Sequence, residues 1–284
     1  VWSKIVDVPL FGKTFTLYTF GPVLVVAFLV ASAWLQRRAK KDLGLDPDRV
    51  FNVAFALLFL GLAGARFLHV LVFYESYANR PLSFLYVWEG GLAWWGGLAA
   101  GLLWLAWWLP RHPEVRGFSF LDLVSRAACL GLAIGWLAPF LAGDQYGKPT
   151  DAPWGVPVRW LQDDTRALAA ARVASGRGEI SLIDARLHPV QLYEAVAALL
   201  LFLVLRAVSR RTAVAGRVTA VFLMLHAVAH AALDVFRWDD RGWVVRGTFS
   251  TVQLFAVPVF FAGLAIWLVR RPDDAVRRPP PAAA

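Results

Sequence analysis

The 284-residue chain has one cysteine, Cys129, which excludes an internal disulfide and a Cys-x-x-Cys metal site. Charge is also scarce. Asp, Glu, Lys and Arg together make up 17% of the residues, against about 25% in a soluble domain. That leaves too little polar side chain to cover a globule of this length. It also excludes a disordered chain, a fibrous repeat and a nucleic-acid-binding tail. Hydrophobic residues make up 58%, so the composition is that of a polytopic membrane protein. The net charge is +9. In such a protein Lys and Arg collect in loops and set orientation, so the charge is not read as nucleic-acid affinity. The 14 Trp residues suit the headgroup boundary, where the indole ring anchors.

A span needs about 20 mostly apolar residues. Seven segments qualify: Thr16 to Leu35, Phe51 to Tyr74, Gly91 to Leu109, Leu121 to Ala142, Pro189 to Val208, Arg217 to Phe236 and Phe249 to Val269. The fold expected is all-α, one seven-helix transmembrane domain over 1–271 with a long loop at 143–188. The tail at 272–284 is rich in Pro and Ala and is expected to be disordered. No cleavable signal peptide is evident, because Asp7 and Pro9 interrupt the first fifteen residues, which are expected to form a short interfacial segment. Short loops on one side carry Arg37, Arg38, Lys40 and Lys41, then Arg111 and Arg116, then Arg206, Arg210 and Arg211. This bias places the N-terminus outside and the C-terminus in the cytoplasm. Gly97 with Gly101, and Gly131 with Gly135, have the four-residue spacing that lets helix backbones approach closely.

Ionisable groups at bilayer depth are costly, about 2.5–3.5 kcal/mol for Arg or Asp at a helix centre. This chain has Arg66, His69, Arg126, His226, His230 and Asp234 inside spans. Arg66 and Arg126 lie toward span ends, where a long side chain reaches headgroups. His230 and Asp234 are four residues apart and share a helix face. With Arg237 they form a polar stripe, read either as the lining of a wet cavity or as a structural hydrogen-bonded pair. The fifth span opens on His188-Pro189-Val190-Gln191-Leu192-Tyr193-Glu194. Pro189 suits the first helical position, with His188 as N-cap and Gln191 in capping-box register. The same heptapeptide sets a His, a Gln, a Tyr and a Glu at one membrane interface. The glycine pairs Gly90-Gly91 and Gly96-Gly97 bracket Trp94-Trp95, which suits a tight helix start.

These residues together resemble the prolipoprotein diacylglyceryl transferase family along nearly the whole chain. The match is carried by Gly64-Ala65-Arg66; by Trp88-Glu89-Gly90-Gly91 with Gly96-Gly97; by Asp144-Gln145-Tyr146-Gly147-Lys148-Pro149-Thr150 with Pro153-Trp154-Gly155-Val156; by the 188–194 heptapeptide; and by Asp234-Val235-Phe236-Arg237. The resemblance implies a bacterial inner-membrane enzyme. It moves the diacylglyceryl group of phosphatidylglycerol onto the lipobox cysteine thiol of a secreted preprotein, with glycerol 1-phosphate as second product. It implies phospholipid and the prolipoprotein signal peptide as partners, and no metal or cofactor. The residues it implies in catalysis are His188, His230, Asp234 and Glu194. Those it implies at the substrate are Tyr18, Arg66, Glu89, Asp144, Gly147, Gln191, Tyr193 and Arg237.

The sequence departs from the family pattern at several places. The His between the glycine pairs is Trp95. An Arg and an Asn of the fourth span are Trp136 and Pro139. The acidic residue of the following loop is Asp144. An Arg and a Glu of the sixth span are His230 and Asp234. Two readings fit. In one, the enzyme works with rearranged groups: His188 or His230 as base, Arg66 and Arg237 on the phosphate. In the other, Trp94, Trp95 and Trp136 fill the pocket of a catalytically silent relative that binds lipid or assembles a membrane complex. A transporter fits less well, because no inverted repeat or interrupted helix pair is visible. The stretch 157–187 is expected to form a surface amphipathic helix.

Overall fold

The structure is a computed structural model that describes residues 4–10, 13–78, 82, 84, 91–158, 185–238, 243–245 and 249–270. At 4–10, 13–18, 76, 94 and 243–245 only the backbone is described. The disordered-tail expectation for 272–284 lies outside these residues, as does all but the ends of the helix expected at 157–187.

The chain is an all-α polytopic membrane protein with three short strand pairs. Strands β1 (Lys4–Leu10) and β2 (Lys13–Tyr18) form an antiparallel hairpin. The helices follow: α1 (Phe20–Leu43), α2 (Pro47–Val72), α3 (Tyr74–Ala78), α4 (Trp94–Trp108), α5 (Gly117–Gly135) and α6 (Leu137–Ala142). After the antiparallel pair β3 (Val156–Pro157) and β4 (Arg186–Leu187) come α7 (Val190–Arg211) and α8 (Arg217–Asp234). Strands β5 (Trp243–Val245) and β6 (Phe249–Ser250) lead into α9 (Thr251–Val269).

Among the described residues, six stretches are long and apolar enough to cross a membrane: α1, α2, α5 with α6, α7, α8 and α9. Their outer faces are apolar and open; Phe59 and Phe67 on α2 are each 66% exposed, as suits contact with acyl chains. The segment expected as the third span forms α4, with 15 residues. At 1.5 Å per residue it covers about 22 Å, short of the bilayer core unless the 3₁₀ turn at Leu109–Arg111 extends it. The first span starts at Phe20 rather than Thr16, because residues 13–18 pair with β1. The expected interfacial segment is that hairpin.

Local chemistry explains the boundaries. The Asp46 carboxylate accepts from the Arg49 amide at 3.1 Å, and Pro47 opens α2. Ser250 caps α9 in a reciprocal box with Gln253, which satisfies two helix-start donors. The expected cap of α7 is different. Val190 begins the helix after Pro189, and no side chain caps it.

The chain divides into two compact units: 1–31 with 125–284, and 32–124. In the second, α2 and α4 meet on a glycine seam. A Cβ on Gly64 would lie 2.5 Å from the Gly96 carbonyl oxygen, and one on Gly97 would lie 2.7 Å from that of Gly61. A Cβ on Gly101 would meet only Leu57, at an ordinary 3.6 Å. Gly97 therefore has its close partner across the seam, and the spacing to Gly101 does not define it. In the first unit, a Cβ on Gly131 or Gly135 would meet Ala31 and Leu24 only at ordinary distances, 3.5 and 3.7 Å, so no tight seam forms there. That unit has an apolar core of Cys129, Leu201, Leu205 and Val218, with the Ser125 hydroxyl donating to Thr219 Oγ1 at 3.4 Å. Arg126 is buried there, with Nη1 donating to Ser209 Oγ at 3.3 Å. It is not turned out toward headgroups.

Candidate functional site

The first unit gathers most of the expected site residues where α7 begins and α8 ends. A small backbone lattice holds them. The Lys148 amide donates to the Phe236 carbonyl at 2.7 Å, the His188 amide to the Lys148 carbonyl at 2.9 Å, and the Trp238 amide to the Tyr146 carbonyl at 3.1 Å. Gly147 forms a bridge with Arg237. A Cβ on Gly147 would lie 2.7 Å from both His188 Cβ and Val190 Cγ2, so this approach needs the bare glycine backbone. Beneath it Tyr146, Val158, Ala185 and Leu187 pack with Trp238. Gln191 is not a helix cap. Its amide donates to the Asp144 carbonyl and ties the loop to α7.

At the centre, His230 Nδ1 and Glu194 Oε1 are 2.6 Å apart, and both side chains are buried. A carboxylate only accepts, so in a bond to the Glu194 carboxylate it is Nδ1 that donates. This is the arrangement by which a carboxylate fixes the tautomer of a general base. The Trp136 ring lies 6.1 Å from the His230 ring, centroid to centroid. Trp136 is the residue between α5 and α6, which places its indole at the break between these helices.

Arg237 also neighbours Trp136, its Cζ 5.8 Å from the indole centroid. The side chain is 8% exposed, and Nη2 donates to Gln145 Oε1 at 3.3 Å. One guanidinium is thus held in a fixed orientation by a ring and an amide, and its fork matches two oxygens of a phosphate. Asp234 has another task. Its Oδ2 accepts from the Ser250 hydroxyl at 2.6 Å, which fastens the end of α8 to the cap of α9. The three residues of the expected stripe thus take different partners: His230 the Glu194 carboxylate, Asp234 the Ser250 hydroxyl, and Arg237, beyond the end of α8, the Gln145 amide.

His188 is half-buried just before the start of α7. Trp154 Nε1 donates to Tyr193 Oη at 2.7 Å, and Tyr193 Oη lies 3.0 Å from His188 Nδ1. The indole thus donates to the phenol oxygen, and the phenol shares a second hydrogen bond with His188 Nδ1. Burial lowers the His188 pKa below the usual value near 6.5. The unfolded chain binds this proton first as pH falls, so the fold around it is most stable above pH 6.5 and loses that stability as acid titrates the folded ring. In an NMR titration the His188 ring should have its midpoint below 6.5. A midpoint above 6.5 would contradict burial as the dominant influence on this ring.

Tyr18, Arg66 and Glu89 are not among the described side chains of this unit. Arg66, in the second unit, is buried. Its Nε donates to the Phe84 carbonyl at 2.9 Å and its Nη1 to the Gly91 carbonyl at 3.1 Å, with Cζ 5.3 Å from the Tyr77 ring. It clamps backbone instead of reaching out to headgroups. Trp95 is half-buried on the first turn of α4. Tyr18 ends β2, where only the backbone is described, and Glu89 lies outside the described residues. Sequence reasoning missed Gln145 and Trp154 as partners. It saw His226 as an intramembrane ionisable group but gave it no place in the site. Among the described residues no group of three or more His, Cys, Asp or Glu side chains is arranged to hold a metal ion.

Residues 9–269 match the sequence profile of the prolipoprotein diacylglyceryl transferase family. Similar proteins include three named phosphatidylglycerol–prolipoprotein diacylglyceryl transferase. That of Geobacter sulfurreducens is 32% identical over 252 residues, 87% of this chain and 88% of the relative. That of Chromohalobacter salexigens is 30% identical over 269 residues, 93% and 92% of the two chains. That of Xylella fastidiosa is 30% identical over 288 residues, 93% and 95%.

Proposed function

The chain belongs to the prolipoprotein diacylglyceryl transferase family, and from that premise we propose that it transfers the diacylglyceryl group of phosphatidylglycerol to the lipobox cysteine of prolipoproteins, with Glu194 and His230 as its proton-accepting pair. The observation that carries this reading is the buried 2.6 Å contact between His230 Nδ1 and Glu194 Oε1 in a membrane-spanning unit that also holds Arg237.

The chemistry follows from these groups. A thiol with a pKa near 8.5 is a weak nucleophile until it loses its proton. His230 Nε2 takes that proton, and Glu194 stabilises the imidazolium that forms. The thiolate sulfur then bonds to the glyceryl carbon as the bond from that carbon to the phosphate oxygen breaks. The electron pair leaves with the oxygen, giving glycerol phosphate and a thioether. Arg237 meets the charge that develops on the departing phosphate, where an oriented cation has most effect. Trp136 borders both the base and the cation. Asp234, Gln191 and Gly147 hold the elements that carry them. His188, Tyr193 and Asp144 form the watery rim toward which the phosphate leaves. In the bacterial inner membrane this rim and the 143–188 loop face the periplasm, with the C-terminus in the cytoplasm.

The test is direct. The protein in phosphatidylglycerol vesicles is given a lipobox peptide, and glycerol phosphate and the peptide mass are followed. The reading expects equal amounts of glycerol phosphate and diacylglyceryl peptide. Phospholipid retained through purification with neither product formed would replace it with a catalytically silent lipid-binding subunit.

A further inference from the structure

We propose that His226 is a positioning residue for this transfer: its ring, stacked on His230, holds the His230 imidazole in the plane from which it takes the thiol proton. The inference rests on the transferase reading and concerns a buried imidazole to which that reading assigns no role.

His226 lies one helical turn before His230 on α8, so the two side chains share a face. Their ring centroids are 5.6 Å apart and their planes differ by 11°. Phe222, a turn earlier still, is stacked on His226 at 5.4 Å and 8°. Three nearly parallel rings thus form a column along α8 that ends at the proposed base. Both imidazoles are buried, 9% exposed at His226 and 6% at His230.

The column supplies what the hydrogen bond does not. A bond from Nδ1 to Glu194 Oε1 fixes the direction of that N–H, but the ring still turns about the bond. Rotation moves Nε2, the atom that must meet the thiol. Trp136 lies at 48° to the His230 ring, so it borders the ring without setting its plane. His226 is the parallel neighbour, and stacked rings resist tilting in a way that aliphatic packing does not. Its contribution is therefore to the alignment of a base that it does not replace.

The experiment compares the full-length protein with His226→Ala and His226→Phe in phosphatidylglycerol nanodiscs. It reads kcat and KM for peptide lipidation, the melting temperature, and the His230 ring signals in histidine-labelled samples. His226→Ala should lower kcat about tenfold or more, since a small misplacement of a reacting group has effects of this size, while KM moves little. Its His230 signals should shift as the neighbouring ring is lost. His226→Phe should recover most of kcat and keep the His230 signals near their original positions. Should the Ala variant not fold, His226→Leu replaces it in the comparison.

Unchanged kcat and unmoved His230 signals in the Ala variant would overturn the proposal. So would a Phe variant as slow as the Ala variant, because that outcome assigns the role to the His226 nitrogens and not to the stack. A wild-type protein without transfer activity would instead sink the transferase reading, and the His230 signals would still decide whether His226 sets the ring.

Discussion

Glu194→Gln should lower kcat about 10²–10⁴-fold, the usual range for a positioned acid–base group, with a small change in KM. The substitution keeps shape and volume but removes the charge. In the native site the carboxylate accepts from His230 Nδ1 at 2.6 Å, so the proton and the lone pair sit on defined nitrogens. A glutamine can turn its NH₂ toward Nδ1, which forces the imidazole proton onto Nε2 and blocks the base. Even with its carbonyl turned inward it carries no charge to stabilise the imidazolium formed when the thiol is deprotonated. The ground-state complex holds a neutral thiol and a neutral imidazole, so KM has little to lose. The activity that remains should return as pH is raised, because a thiolate formed in solution no longer needs the base. A Gln variant with wild-type kcat at neutral pH would remove Glu194 from the reaction.

Arg237 should show the next largest effect. A charge-assisted hydrogen bond contributes about 1.5–3 kcal/mol, which corresponds to roughly 10- to 150-fold in rate at 1.36 kcal/mol per tenfold. Arg237→Gln should lower kcat/KM by about 100-fold, within that range. Arg237→Lys should lie between, because it keeps the charge but loses the planar fork and the fit to the Trp136 face 5.8 Å away. The graded series Arg, Lys, Gln is the signature of phosphate recognition. Lys and Gln variants of equal activity would show that charge is not what Arg237 supplies, and Arg237 would then serve through its backbone bridge to Gly147.

Spans and stripes were legible because they are periodic. His230 and Asp234 could be placed on one face by counting residues, and both lie on α8, whereas Arg237 falls beyond its end and bridges to Gly147. The partner of His230 was not legible as a partner. Glu194 is 36 residues away, and in sequence it looks like an acid placed for a helix dipole. Gln191 shows the same limit. Its register fits a capping box, but the Asp144 carbonyl offers an acceptor that only the fold brings near. Asp234 and Arg126 were readable as intramembrane charges, but their uses as a clasp to Ser250 and a bond to Ser209 depend on helices distant in sequence. The close glycine contact was foreseeable in kind but not in place. Spacing within one helix identified Gly97, while its partner Gly61 is on α2. The aromatic column through His226 was written in the four-residue steps from Phe222 to His230. Such steps on an apolar helix usually mean core packing, and only the ring planes distinguish the two.

The most direct test of the proposed chemistry is the protonation of the His230 ring, read by nitrogen-15 NMR of histidine-labelled protein in lipid at pH 8. The account predicts a proton on Nδ1, a bare Nε2, and loss of this pattern in Glu194→Gln. A ring protonated at Nε2 in the wild-type protein would contradict it, since that nitrogen could not then receive the proton of the attacking thiol.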